Sequence, residues 1–292
     1  MSAEVIAQIA VSGLLMGLIY ALIAAGLSLI FGLMDVVNFA HGEFMMTAMY
    51  ATFGLVMWLA LDPLVLSPLV AGLMFIVGAV AYRFIVVHAM RVRTNKGMVQ
   101  VFATFGLAIV IRGLAQLAFT PDYRSIPTSW LAGKTFVLAG VFLPLPQLAG
   151  AAVSVLTFLG LYLLMTRTDF GRALEATRED AGAVALVGID KNRVFTLGWG
   201  LGAALVGIAG AILAIFYYIH PDVGGPFALI AYVTVALGGF GSIFGALLAG
   251  IIVGAIEAAA ATVLSPALKS IGIYLVYLAV VFFRPRGLFG SM

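Results

Sequence analysis

Long apolar runs set the pattern of this chain, and a few short polar clusters interrupt it. The first run extends from Val5 to Leu33; others cover residues 44–61, 69–87, 98–119, 147–166, 194–217, 227–240, 243–263 and 269–283. A helix of roughly 20 apolar residues crosses a bilayer, so the pattern predicts an all-α polytopic membrane protein with about nine crossings, eight to ten if the two shortest runs are re-entrant halves. Asp62-Pro63 and Ser67-Pro68 predict a short turn before the third run. The stretch 120–146, with Pro121, Pro127, Pro144 and Pro146, predicts a long loop whose Tyr123 and Trp130 suit a membrane interface.

Two interruptions are chemically unlike the rest. Asn38-Phe39-Ala40-His41-Gly42-Glu43-Phe44 crowds three polar or ionisable side chains beside a glycine, and His220-Pro221-Asp222-Val223-Gly224-Gly225-Pro226 is polar and rich in Gly and Pro. A charge on a lipid-facing helix disfavours insertion by roughly 2.5–3.5 kcal/mol. An interrupted helix can instead turn its polar groups toward protein or a water-filled cavity. Both segments are therefore expected to be breaks in discontinuous helices bordering a substrate path, with Asn38, His41, Gly42, Glu43, Gly224 and Gly225 as its candidate residues. The first break follows a span running inward and the second a span running outward. That arrangement predicts one transmembrane domain, 1–292, with an inverted repeat of halves 1–120 and 190–292 and a site between them.

Composition sharpens the membrane reading. The 292 residues are 64% hydrophobic and 9% charged, and none is cysteine, so disulfides are excluded. Mean hydropathy is +1.19. The net charge of +3 does not point to nucleic acid, because the bases gather in loops: His88, Arg91, Arg93 and Lys96; then Arg167 to Arg193; then Arg284 and Arg286. The positive-inside rule places these loops in the cytoplasm, with the C-terminus, and the N-terminus on the outer side. No basic n-region precedes the first run, which is longer than a signal-peptide core, so it is expected to be a retained helix.

Asp35, His41, Glu43, Arg83, Arg112 and Glu257 fall within or beside the apolar runs. Such residues are functional candidates; the simpler expectation is structural pairing of Arg112 with Glu43 or Glu257, and snorkelling of Arg83 to the membrane edge. His220 and Asp222 invite a proton-relay reading, but Pro221 and Pro226 favour a turn. The three histidines (41, 88 and 220) are far apart and form no ligand set with metal-site spacing. Gly133-Lys134-Thr135 resembles the end of a phosphate-binding loop, but position 128, where that motif needs glycine, is Thr128. Gly198, Gly200, Gly202, Gly207 and Gly210 read as a close helix-packing face, as do Gly13/Gly17, Gly241/Gly245 and Gly250/Gly254. The chain is expected to carry no nucleotide site, no cofactor and no enzymatic activity of its own.

The charged loop 167–193 has two readings. Arg172, Glu175, Arg178 and Glu179 lie at helical spacing and can pair at i,i+3 and i,i+4. Ala176, Ala183, Val184, Leu186 and Val187 supply small apolar faces, and Gly188 can end a second short helix. A short amphipathic segment of this kind suits docking into a groove of another protein; an ordinary solvated loop satisfies the same pattern.

At these segments the chain resembles the permeases of branched-chain amino acid ABC transporters. The matching residues are Gly26-Leu27-Ser28-Leu29-Ile30-Phe31-Gly32 leading to Asn38–Phe44; Gly171-Arg172-Ala173 with Ala185-Leu186-Val187-Gly188-Ile189; and Phe283-Arg284-Pro285-Arg286-Gly287-Leu288-Phe289-Gly290. The resemblance implies a multi-pass permease of the bacterial inner membrane that moves branched-chain amino acids. It also implies a cytoplasmic coupling segment at Phe170–Ile189, where Gly171, Arg172, Glu175, Arg178, Glu179 and Gly188 fall. The partners implied are two ATPase subunits, a second homologous permease subunit and a periplasmic substrate-binding protein. A permease of the same family for urea, amides or aromatic acids fits these motifs equally. From another class, an ion-coupled secondary carrier would use Glu43, Asp222 or Glu257 for the coupling ion. A non-transporting assembly or receptor subunit would have no need of polar breaks in both halves.

Overall fold

A computed structural model describes residues 2–92, 95–180, 182–264, 266–284 and 287–288. Arg93 of the first basic loop and Pro285, Arg286, Phe289 and Gly290 of the C-terminal motif lie outside the described residues. Ten helices are formed among those described: α1 (Ala3–Met34), α2 (His41–Leu59), α3 (Pro63–Met90), α4 (Lys96–Phe119), α5 (Leu145–Arg167), α6 (Asp169–Glu179), α7 (Lys191–Leu213), α8 (Gly224–Gly238), α9 (Ile243–Val263) and α10 (Lys269–Phe283). Six of them, α1, α3, α4, α5, α7 and α9, are long and apolar enough to cross a membrane, and α8 and α10 are shorter apolar helices. The protein is a multi-pass, all-α membrane protein.

In lipid, helices are held together by close packing and not by hydrophobic attraction, so small residues collect where helices meet. Helix α1 is buried along most of its length, against α5, α7, α8 and α9. Its seam with α9 is backbone against backbone. A β-carbon on Gly17 would lie 2.8 Å from the Gly250 carbonyl oxygen, and one on Gly254 would lie 2.3 Å from that of Gly13. Helix α7 is the second buried span, packed on α1, α2 and α3. Its glycines meet Leu33 (Gly198), Phe75 (Gly200), Gly26 and Ile30 (Gly202), Met74 (Gly207), and Ala48 and Met45 (Gly210). The packing face expected from their spacing is present.

Three elements depart from the sequence expectation. Ser67-Pro68 is not a turn but part of α3, which starts at Pro63 with Asp62 as its N-cap. Pro68 has no N–H to give the Leu64 carbonyl, and the Ser67 hydroxyl donates to that carbonyl instead, at 2.8 Å. Next, the loop after α4 contains an antiparallel hairpin, β1 (Thr135–Leu138) and β2 (Val141–Pro144). It turns through Ala139 and Gly140, both at positive φ. The Gln8 side chain of α1 holds it by donating to the Phe142 carbonyl (3.0 Å) and accepting from the Phe142 N–H (2.7 Å). Finally, α7 ends at Leu213 and α8 starts at Gly224, so the second break is shifted toward the N-terminus: it runs from 214 to 223, and Gly224, Gly225 and Pro226 form the first turn of α8.

The bundle has two chemically distinct ends. Asp35, Arg91, Arg178, Lys191 and Asn192 line one cavity of about 560 Å³ at the basic end, and Arg83 joins His88 and Arg91 there. The opposite end carries the hairpin, the Asp62 carboxylate accepting from Ser129 (2.9 Å) and Trp130 N–H (2.8 Å), and the paired backbones of Arg124 and Ile219.

Candidate functional site

The two broken helices begin beside each other. Irregular backbone within a membrane must find its hydrogen bonds in the protein, and the 35–40 segment does. Asp35 closes α1 in a left-handed conformation, φ 53°. The Val37 carbonyl accepts from Thr104 Oγ1 (3.4 Å), and the Asn38 carbonyl accepts from Tyr232 Oη (3.2 Å) and His41 N–H (3.2 Å). Asn38 Oδ1 accepts from Ala40 N–H at 3.0 Å. The second break is fixed by reciprocal bonds between Arg124 and Ile219, 2.9 and 2.8 Å. Gly42 and Gly224 then bring the α2 and α8 N-terminal turns into contact, each lying 2.3–2.4 Å from where the other's β-carbon would meet its carbonyl oxygen. Gly225 has open space around it.

The polar side chains separate into a hidden set and a facing set. His41 is fully buried. Its Nε2–H donates to the Ile23 carbonyl at 2.9 Å; because a carbonyl only accepts, the proton sits on Nε2, and Nδ1 is left without a partner. Its ring fills the space beside Gly26. Glu43 is buried, pairs with the Arg112 guanidinium, and leaves Oε2 unpartnered. Arg112 Nη2 serves Glu43, while its Nε has no hydrogen-bond acceptor and faces Asp222 Oδ1 at 3.8 Å. Here the side chains open: Arg112 is 40% exposed and Asp222 64%, against 4% for Glu43.

At the basic end, α5 folds back into α6 through Thr168, whose hydroxyl donates to the Leu164 carbonyl (2.6 Å) and accepts from Gly171 N–H (3.1 Å). Gly171 lies so close to Met165 that a β-carbon would fall 2.2 Å from its carbonyl oxygen. Leu174 and Thr177 complete the buried stripe of α6. Arg172 pairs with Asp169, in place of the expected partners further along the helix. Glu175 and Arg178 line a cavity of about 350 Å³ with Gly32, Gly241 and Phe240, and the Arg178 guanidinium rests against Gly241. Glu179 is exposed. After it, the Asp180 carboxylate accepts from Gly182 N–H (2.7 Å) and Ala183 N–H (2.9 Å), which holds it below the usual carboxylate range. The short turn 183–187 ends at Gly188, φ 83°.

Residues 9–281 match the family described as the permease component of branched-chain amino acid transport systems. The chain belongs to that permease family. It is 32% identical over 291 residues to the high-affinity branched-chain amino acid transport system permease protein BraD of Pseudomonas aeruginosa, covering 96% of this chain and 94% of the relative. Identity to the corresponding protein LivH of Escherichia coli (strain K12) is 29% over 289 residues, with the same coverage. A partial likeness, 30% over 171 residues and 56% of this chain, links it to the ribose import permease protein RbsC of Bacillus subtilis. No solved structure matches.

Within this permease, the expected intramembrane pairing is resolved and in part corrected. Arg112 pairs with Glu43 and not with Glu257; Glu257 is held by Lys269, Nζ to Oε1 2.6 Å. Asp222 faces Arg112, while His220 packs against Tyr123 with ring centroids 4.6 Å apart and the rings tilted by 43°. Sequence reasoning weighed Asp222 with its neighbour His220 or as a coupling-ion carboxylate, not as a partner of Arg112, and left Lys269 without a partner. The signal for Lys269 was charge balance: the buried Glu257 carboxylate needs a cation, and few cations lie outside the basic loops.

Proposed function

We propose that this chain is one permease subunit of an ABC importer that carries branched-chain amino acids across the inner membrane. The observation that carries the reading is the end-to-end likeness to permeases named for branched-chain amino acid transport. In this reading a periplasmic binding protein delivers substrate at the hairpin end, and the basic end faces the cytoplasm. A second homologous permease subunit lies alongside. Two ATPase subunits, which hydrolyse ATP, bind α6 and the turn ending at Gly188.

Several features support this arrangement. Helices α1–α4 and α7–α10 act as the two halves of an inverted repeat: α1 packs on α9 as α7 packs on α3, and the broken helices α2 and α8 meet at their N-termini. The substrate path runs past that meeting, along Gly225, Arg112 and Asp222, with Asn38, His41 and Glu43 holding the break behind it. Through Arg178 and Gly241, α6 reaches the connection between α8 and α9, a route for ATPase motion to the broken helix. Of the three carboxylates a secondary carrier would use, Glu43 and Glu257 are each tied to a cation, which leaves that alternative with Asp222 alone.

The test is purification of the tagged chain from its native membrane in mild detergent, followed by reconstitution. Co-purifying ATPases, a second permease and ATP-driven leucine uptake are expected. A chain that is active alone under an ion gradient would overturn the reading.

A further inference from the structure

We propose that Arg112 and Asp222 read the two charges of a zwitterionic α-amino acid, Arg112 taking the carboxylate and Asp222 the ammonium. The inference rests on the amino-acid reading above and names the groups that recognise the substrate.

Four observations converge. Arg112 lies seven residues before the end of α4 at Phe119, about 10 Å below it at 1.5 Å per residue. Asp222 closes the second break, two residues before Gly224. Arg112 therefore lies within the length of α4 with Asp222 beside it, and the two side chains are 40% and 64% exposed; a charge within a span is tolerated where it faces a water-filled path. Second, the pair is loose: at 3.8 Å, Arg112 Nε and Asp222 Oδ1 are beyond hydrogen-bond distance, and Nε has no other acceptor. Glu43 holds the guanidinium from behind through Nη2, and Nε is buried, so an incoming carboxylate meets the exposed remainder of the Arg112 side chain.

Third, the charges count correctly. With both carboxylates ionised, Glu43, Arg112 and Asp222 carry one surplus negative charge. A zwitterion adds none, its ammonium meeting the surplus at Asp222 and its carboxylate meeting the Arg112 guanidinium. An α-hydroxy acid anion would add a second negative charge: its carboxylate could meet Arg112, but it has no ammonium to meet the surplus at Asp222. Fourth, Gly225, whose N–H reaches the Asp222 carbonyl at 3.3 Å, has nothing beyond its own helix and chain neighbours within 4 Å of where its β-carbon would be, so the space there is open to a substrate side chain.

The experiment uses the purified transporter complex in lipid nanodiscs, without binding protein, and a leucine analogue with a photoreactive diazirine in its side chain. Adducts are expected in segments 106–119 and 219–229. Leucine should compete for labelling; its α-hydroxy analogue and the corresponding amine should not. Asp222→Asn should weaken leucine competition about tenfold, the loss of one charge-assisted contact, and should abolish discrimination against the hydroxy acid. Arg112→Lys, which keeps the charge beside Glu43, should weaken competition without loss of the folded complex. Adducts confined to other segments, or competition in both variants equal to wild type, would overturn the proposal. Labelling at these segments in a complex with no ATP-driven leucine uptake would overturn the importer reading and leave this site standing.

Discussion

Gly42 and Gly224 touch backbone to backbone where two helices begin. A β-carbon on Gly42 would lie 2.3 Å from the Gly224 carbonyl oxygen and 2.7 Å from Ala228 Cβ, and neither can swing aside. Gly42→Ala should cost at least the ~1–3 kcal/mol typical of overpacking, seen as a melting midpoint several degrees lower in detergent. Gly225→Ala, placed in open space, should melt as wild type; equal effects at the two positions would sink the close-approach account.

The Glu43–Arg112 pair should be worth more broken than intact. Glu43→Ala leaves a partly buried guanidinium beside one distant carboxylate. The cost should be roughly 3 kcal/mol, the low end for breaking a buried pair, because Arg112 keeps some access to solvent. Arg112→Met combined with Glu43→Leu should recover much of that loss. A double-mutant cycle on thermal inactivation measures the coupling, and strict additivity would show that the pair contributes nothing.

Charge reversal on α6 separates assembly from coupling. Arg172→Glu and Arg178→Glu should both insert normally and both abolish ATP-driven uptake. They differ in where they act: Arg172 is exposed beside Asp169, whereas Arg178 reaches Gly241. ATPase co-purification should therefore fall in the first and persist in the second.

The Asp180 turn should respond to acid. Its carboxylate is held below the usual range by two backbone N–H groups. The folded value is thus lower than the unfolded one, so the turn's stabilisation is complete above the ordinary carboxylate pKa and is lost as pH falls through the lowered value. A spin label at Val187 should gain mobility over that acidic window, and Asp180→Ala should show the mobile spectrum at neutral pH.

Much of this architecture was legible in the sequence because small residues and polar breaks are costly inside a membrane unless they are used. The glycine faces of α1, α7 and α9, and the interruptions before Gly42 and Gly224, stood out for that reason. Other features depended on partners distant in the chain. Nothing local to Asp222 points to Arg112, and nothing near Glu257 points to Lys269. Four-residue strands with Pro and Gly at their ends resemble loop, and the Gln8 side chain that holds Phe142 comes from the first helix. Pro68 reads as a breaker until Ser67 is seen filling its missing bond.

The glycine seam between α1 and α9 has a mechanical consequence. Interlocked side chains resist sliding because each must change rotamer to pass the next. Gly13, Gly17 and Gly254 meet backbone, and Gly250 meets backbone and the small Ala21 methyl. Such a seam behaves as a bearing: it keeps two spans tightly together while offering little friction to a shift along their length. In the proposed inverted repeat α1 and α9 belong to opposite halves, and a contact of that kind, firm across the seam and free along it, would let those halves shift without parting.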